Sequence, residues 1–392
     1  MSLIPPAATT DRATTLAWFF DVLDAHADRI ERTKRKVDSV YAFRTPETPY
    51  FEYTVTDVNT SVVTPFVYSP SPWAETIFDR RLDGALQRIA WNLEAFPQND
   101  YVPSIHPGHG TSDLIPGLYG CEFDLTPEGA VINRNYRILD LARDIDGFLS
   151  EEIDLAAHPI VRDQIEYARF ASEAVEGRVQ VVYPQMQGPL TNAMRIMEQT
   201  EMLMACVSDR RNLSMLAMRI AEHISDITLL LIRAVGDRSL LRPRSRFYQP
   251  PGVLGLIVDD YISVVGPERY FEICEPAWRT IAERLGNIYL HTCGPVEQRL
   301  EMMCRLPGLV ALETAFVSGQ HATTEDISRT KRRLDGRLVF GTFGLPHGEP
   351  VEDPEHLTRR WLEEVSTDGG FMMHASGSYE TGAALFTRLG IG

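Results

Sequence analysis

The stretch Asn287-Ile-Tyr-Leu-His-Thr-Cys-Gly294 decides how this chain is read. Ile288-Tyr-Leu290 is a short apolar run of strand type that ends in a histidine, a cysteine and a glycine. Residues two apart on a strand point to the same side, so His291 and Cys293 project together from its C-terminal end. Imidazole nitrogen and thiolate sulfur are both zinc ligands, and Gly294 lets the chain turn away sharply. Taken alone, H-x-C is a weak motif that reads more readily as a small buried cysteine than as a metal site, so its meaning depends on where the strand lies in the fold.

The same unit recurs on both sides. Val253-Leu-Gly-Leu-Ile-Val258 runs into Asp259-Asp260, Leu309-Val-Ala-Leu312 into Glu313, Leu338-Val-Phe340 into Gly341, and Phe371-Met-Met373 into His374. Helical patterns follow each strand, over about 267–285, 296–304, 324–334, 353–365 and 379–389. Upstream, Tyr50-Phe-Glu-Tyr-Thr-Val55, Tyr101-Val-Pro-Ser-Ile105 and Val179-Gln-Val-Val-Tyr183 read as strands, with helices over about 74–94, 160–176 and two amphipathic stretches in 192–235. Eight strands, nearly all followed by helices, predict an α/β chain with a parallel sheet, closed as a single (β/α)8 TIM-type barrel. The rival, an open doubly wound sheet, carries a G-x-G-x-x-G after a strand, and no strand here has one. Residues 1–45 form an N-terminal extension whose helical arm, about 11–37, ends in a basic run at 32–36 that reads as a solvated helix end; 46–392 form the barrel. Gly120-Cys-Glu-Phe-Asp124 and Ala130-Val-Ile132 predict a small hairpin insertion.

Composition narrows the function. Of 392 residues 44% are hydrophobic, enough for a large core, and the net charge is −16. That excess of acid argues against nucleic-acid binding, where basic residues supply most of the affinity. No run approaches the roughly 20 apolar residues of a membrane span, and the first residues lack the pattern of a signal peptide. Five scattered cysteines argue against a disulfide framework and for a cytoplasmic protein. The expected partner is a small-molecule substrate and not nucleic acid or membrane, and the helical arm and acidic surface are compatible with a homodimer, the oligomeric state being left open by the sequence.

Barrel chemistry sits at the C-terminal ends of the strands. That rule gathers His106 and His109, Gln185 and Gln187, Asp259 and Asp260, His291 and Cys293, Glu313, and His374, Ser376 and Tyr379 onto one rim. His106, His109, Gln185, Gln187 and Tyr379 are candidates for holding substrate. Of Asp259 and Asp260, candidates for catalysis, only one can face the barrel axis, since adjacent strand residues point opposite ways. Zinc takes three or four protein ligands, and His291, Cys293, Glu313 and His374 are the candidate set. His223 and Cys304 read as packed core residues, and Arg242, Arg244 and Arg246 as a surface cluster at the opposite end of the barrel.

Three segments taken together, Gln187-Gly-Pro-Leu-Thr191, Asp259-Asp-Tyr-Ile-Ser263 through Gly266-Pro-Glu-Arg-Tyr-Phe271 to Glu275-Pro276, and Leu290-His-Thr-Cys-Gly294, resemble the uroporphyrinogen decarboxylase superfamily of (β/α)8 enzymes. The resemblance spans about residues 100–390. One branch comprises zinc methyltransferases that move methyl groups between corrinoid proteins and thiols, with H-x-C at a strand end, a glutamate on the next strand and a cysteine near the C-terminus. His291, Cys293 and Glu313 match that pattern; the last cysteine is missing, and Phe371-Met-Met-His-Ala-Ser-Gly377 stands in its place. The other branch, the true decarboxylases, uses an arginine-rich loop near the N-terminus that this chain lacks. The resemblance implies a zinc-dependent methyltransferase or demethylase with a corrinoid protein as partner. Cofactor-independent decarboxylation of a porphyrinogen-like or other carboxylate, and a non-catalytic barrel that binds a corrinoid or tetrapyrrole, are the alternatives.

Overall fold

The computed structural model describes residues 11–55, 71–106, 113–125, 131–243, 245, 247–293, 296–315, 324–343, 362–365, 369–377 and 379–389. The order of its strands follows from their side chains. Val253–Val258 (β7) is buried at every residue and Asn287–Thr292 (β8) at all but Asn287 and His291, as strands covered on both faces require. With Tyr50–Val55 (β1), Leu309–Ala315 (β9), Val339–Phe343 (β10) and Phe371–Gly377 (β11) they form a six-stranded sheet in the order β1-β11-β10-β9-β8-β7, parallel throughout. Ser104–Ile105 (β2), Gln180–Val182 (β5) and the two-residue Leu241–Arg242 (β6) make a second parallel sheet in the order β2-β5-β6. Phe123–Leu125 (β3) and Val131–Asn133 (β4) pair antiparallel, the expected hairpin.

Hydrogen bonds tie the two parallel sheets on both sides. Asp100 donates its N–H to Phe51 O at 3.1 Å, and the Asn99 side chain brackets the Tyr53 backbone with two bonds of 2.8 Å. Opposite, Gly188 N–H donates to Val258 O at 2.6 Å and the Tyr183 hydroxyl to Leu254 O at 2.6 Å. The fold is therefore mixed α/β with parallel strands and helical connections. Every one of the eight strands read from the sequence is present in part or whole. Of the helix expected over 353–365, residues 362–365 are helical and the remainder lies outside the described residues.

Helices form where apolar spacing and caps agree. Ile77–Ala95 (α3) begins at Thr76, whose hydroxyl takes the Asp79 N–H while the Asp79 carboxylate takes the Thr76 N–H, a closed capping box. The stretch 192–235 divides into Pro189–Ile196 (α7), Gln199–Ser208 (α8) and Arg210–Val235 (α9). Gly236 ends α9 at φ +84°, where a Cβ would be strained. Leu213, Leu216, Ile220, Ile224, Ile227 and Leu231 of α9 are all buried, and each such side chain stabilises by about 1.5–3 kcal/mol.

The N-terminal helices Arg12–Ala25 (α1) and Ala27–Tyr41 (α2) bury Phe19, Val22, Leu23, Val37 and Val40 in the same continuous core. The basic run at their end is not wholly solvated, because Lys36 Nζ sits 2.7 Å from the buried Asp100 carboxylate. Tyr41 donates its hydroxyl to the buried Gln249, in the segment that carries Phe247 against Tyr50 (ring centroids 6.0 Å) and His374 (6.3 Å). Gly341 makes room for that ring: a Cβ there would lie 2.5 Å from a Phe247 ring carbon. All five cysteines are free thiols, and among the described residues no helix is long and apolar enough to cross a membrane.

Gly341→Ala should therefore lower the thermal midpoint, at a cost of about 1–3 kcal/mol from overpacking. Pairing it with Phe247→Leu should recover part of the loss. A midpoint unchanged by the single substitution would show that the ring moves aside freely.

Candidate metal centre

Two successive carboxylates follow β7, Asp259 as the cap and Asp260 as the first residue of the short 3-10 turn Asp260–Ser263, and they face different partners. Asp259 turns away from the strand ends into a shell of donors. Its oxygens accept from Leu190 N–H (3.1 Å), the Thr191 hydroxyl (3.0 Å), Tyr261 N–H (3.2 Å) and the Tyr270 hydroxyl (3.1 Å). It has no exposed surface. Burial pushes its pKa up from 3.8 to about 6, against the pull of the bonds from Thr191, Leu190 and Tyr270. The Gln187-Gly-Pro-Leu-Thr191 segment is shaped to this carboxylate. Gly188 packs where a Cβ would lie 2.6 Å from the Asp259 Cβ, and Pro189 opens α7 where no N–H is needed. Thr191 is the third residue of the helix, in its first turn, and gives its hydroxyl to Asp259, whereas Gly188 is the cap.

Asp260 faces the other way. Its Oδ1 accepts the Cys293 N–H at 2.6 Å, and the Asp259 N–H donates to His291 O at 3.0 Å, so the ends of β7 and β8 are fastened to each other. His291 and Cys293 project side by side as their spacing predicts, with Cys293 Sγ 3.4 Å from His291 Nε2. Glu313 stands beside His291 in the β8–β9 register and brings Oε1 to 3.2 Å from His291 Nδ1. A carboxylate at Nδ1 favours the proton there and leaves the Nε2 lone pair toward the sulfur. A carboxylate oxygen of Asp260, a ring nitrogen of His291 and the Cys293 sulfur all lie within 4.8 Å of one another, and among the described residues this is the group able to hold a metal ion.

Glu313 is fully buried behind His291. His374 is buried on β11, in register with Glu52, with Nε2 2.9 Å from the Thr54 hydroxyl. It does not belong to the group of three. Gln185 and Gln187 are half-buried between β5 and α7, and His106 is half-buried after β2. His109 lies outside the described residues, as do the side chains of Ser376 and Tyr379; Tyr379 opens the last helix. His223 packs on Tyr119 with Nδ1 3.1 Å from its hydroxyl, and burial pushes its pKa down to about 4. Asp260 was legible only as one of an ambiguous pair, since spacing says that one carboxylate faces the axis but not which.

No protein-family model and no curated protein matches the chain. Among solved structures it is similar to a methyltransferase from Methanosarcina mazei, at 16% identity and a TM-score of 0.60, over 91% of this chain and 98% of that one. At that identity the likeness is one of fold.

Asp259 titrates in a defined direction. Its folded pKa of about 6 exceeds its ordinary 3.8, so the folded state keeps a proton the unfolded chain has released, and this contribution is lost as pH rises from about 4 through 6. In Asp259→Asn the fall in stability between pH 4.5 and 7 should be shallower by on the order of 2 kcal/mol, read by denaturant unfolding. Parallel curves for the two proteins would show that Asp259 stays ionised throughout.

Proposed function

We propose that this chain is a zinc-dependent methyltransferase on a closed (β/α)8 barrel, moving a methyl group between a corrinoid, carried by a partner protein, and a small thiol or methylated compound. The observation that carries the reading is the convergence of Asp260, His291 and Cys293 at the ends of adjacent parallel strands. Barrel closure is supported by the two sets of hydrogen bonds that join the sheets, at Asn99 and Asp100 and at Tyr183 and Gly188.

The donor set fits zinc. It joins oxygen, nitrogen and sulfur, and three protein ligands leave a position for an incoming group. His291 would bind through Nε2, because Glu313 occupies the Nδ1 side and fixes the ring. The Cys293 N–H orients the Asp260 carboxylate in advance. Zinc bound there supplies Lewis acidity that lowers the pKa of a coordinated thiol. Gln185, Gln187 and His106, from the ends of β5 and β2, are suited to hold the polar parts of a substrate. Asp260, His291 and Cys293 would hold the zinc, and a thiol bound there, its proton lost to solvent, would accept the methyl group while the electron pair of the broken bond stayed with the corrinoid. Decarboxylation by an Asp259-Asp260 pair has less support, because Asp259 is occupied by four hydrogen bonds that hold the fold.

Purified protein should contain close to one zinc per chain by mass spectrometry of the metal, and Asp260→Asn, His291→Ala and Cys293→Ser should each lose most of it. Glu313→Gln should weaken zinc affinity about 10–100-fold while leaving the stoichiometry intact at saturating metal. His374→Ala should leave the metal content unchanged. Full zinc in His291→Ala, or a wild-type protein that takes up no zinc on titration, would refute the metal site; a zinc protein that demethylates no methylcorrinoid in the presence of thiols would refute the methyl transfer.

A further inference from the structure

Glu313 stands between two unlike neighbours. The strand register sets His291, Glu313, Gly341, Met372 and Tyr50 side by side on β8, β9, β10, β11 and β1. Register partners in a parallel sheet project from the same face, so Glu313 has an imidazole on one side and the bare backbone of a glycine on the other. Adjacent strands lie about 4.8 Å apart, within reach of a glutamate side chain. The carboxylate can therefore turn toward His291 or into the slot that Gly341 leaves open. It turns toward His291, with Oε1 3.2 Å from Nδ1.

A residue from outside the sheet fills that slot. Phe247 has no exposed surface, and its ring covers Gly341 so closely that a Cβ there would lie 2.5 Å from a ring carbon. Farther along the same face the ring meets Tyr50 at 6.0 Å and His374 at 6.3 Å between centroids. Phe247 belongs to the connection between β6 and β7, which is neither helix nor strand over residues 247–250. Side chains hold it instead. The Ser245 hydroxyl and the Gln249 amide donate to the Phe247 carbonyl, and the Gln249 oxygen accepts the Tyr41 hydroxyl. Tyr41 is the last residue of α2, so a helix of the N-terminal arm secures the segment packed beside Glu313. Burial, and then the Glu313 charge, push the Tyr41 hydroxyl above its ordinary pKa, in keeping with that placement.

We propose that Phe247 and Tyr41 are positioning residues of the metal centre: the ring keeps the Glu313 carboxylate out of the slot over Gly341, and the Tyr41–Gln249 bond keeps the ring in place. Glu313 is thereby confined to His291 Nδ1, which leaves the Nε2 lone pair for the ion. The proposal rests on the metal reading of Asp260, His291 and Cys293, and it makes metal affinity depend on the N-terminal arm. Neither Phe247 nor Tyr41 supplies a ligand atom, so both act through Glu313.

Two measurements test it, and one needs no metal. In the metal-free protein, NMR of nitrogen-labelled histidine should show the His291 proton on Nδ1 in the wild type and a mixture of the two tautomers in Phe247→Leu and Tyr41→Phe. In zinc titrations against a competing chelator, both variants should bind about 3–10-fold more weakly than the wild type, short of the loss expected for Glu313→Gln. Neither should weaken binding further when combined with Glu313→Gln. Gly341→Ala, which puts a methyl into the slot, should restore part of the affinity lost in Phe247→Leu. Tyr41→Phe removes a single oxygen and carries the test where Phe247→Leu fails to fold. An unchanged tautomer and unchanged affinity in these variants would overturn the proposal, as would losses that persist in full beside Glu313→Gln. A wild type that takes up no zinc refutes the metal reading alone, and the tautomer measurement then decides the positioning by itself.

Discussion

A carboxylate sealed from water organises the upper end of this fold. Asp259 takes hydrogen bonds from the first turn of α7, from the short turn after β7 and from Tyr270 on the helix Pro267–Leu285, so three connections meet on one side chain. Burying an ionisable group costs several kcal/mol unless donors surround it, and these donors come from segments far apart in the chain. The requirement reaches back into sequence: Gly188 because nothing larger fits beside the carboxylate, and a hydroxyl at Thr191 to complete its bonds. With Asp259 held by these donors, Asp260 opens the 3-10 turn and its carboxylate meets the Cys293 N–H.

The candidate metal centre is built the same way, by placing partners behind the groups that act. Glu313 sits behind His291, and the Cys293 backbone orients Asp260, so both imidazole and carboxylate are held before any ion arrives. The parallel register does the positioning: Val258, His291 and Glu313 lie side by side on three neighbouring strands. Tyr41 at the end of α2 bonds Gln249, and Phe247 packs on Tyr50 and His374, so the N-terminal helices share one core with these strands.

Much of this was legible residue by residue. Apolar runs of three to six residues, each followed by a helical period, predicted five strands of the large sheet, because strands buried on both faces cannot hide their composition, and the alternation of Tyr50–Val55 predicted the sixth. The pairing of His291 with Cys293 follows from a period of two and needs no tertiary information. The neighbours of His374 and the burial of Arg242 were not legible, for one reason. Position at a strand end or in a basic run says which residues are near in sequence, while the partners that matter, Thr54 for His374 and the surroundings of Glu52 and Tyr101 for Arg242, come from elements far away in the chain.

By itself the sequence determined the α/β class, the alternation of strands and helices, the common projection of His291 and Cys293, and the presence of carboxylates at the ends of the strands on either side. These rest on local periodicity, which a chain carries wherever it folds. Only the tertiary structure decided which of two adjacent aspartates meets the cysteine, that Glu313 stands behind the imidazole, and that Arg242 is buried instead of solvated. Those outcomes depend on the register between strands and on the donors each buried charge finds, and both are set by packing between segments that spacing along the chain does not relate.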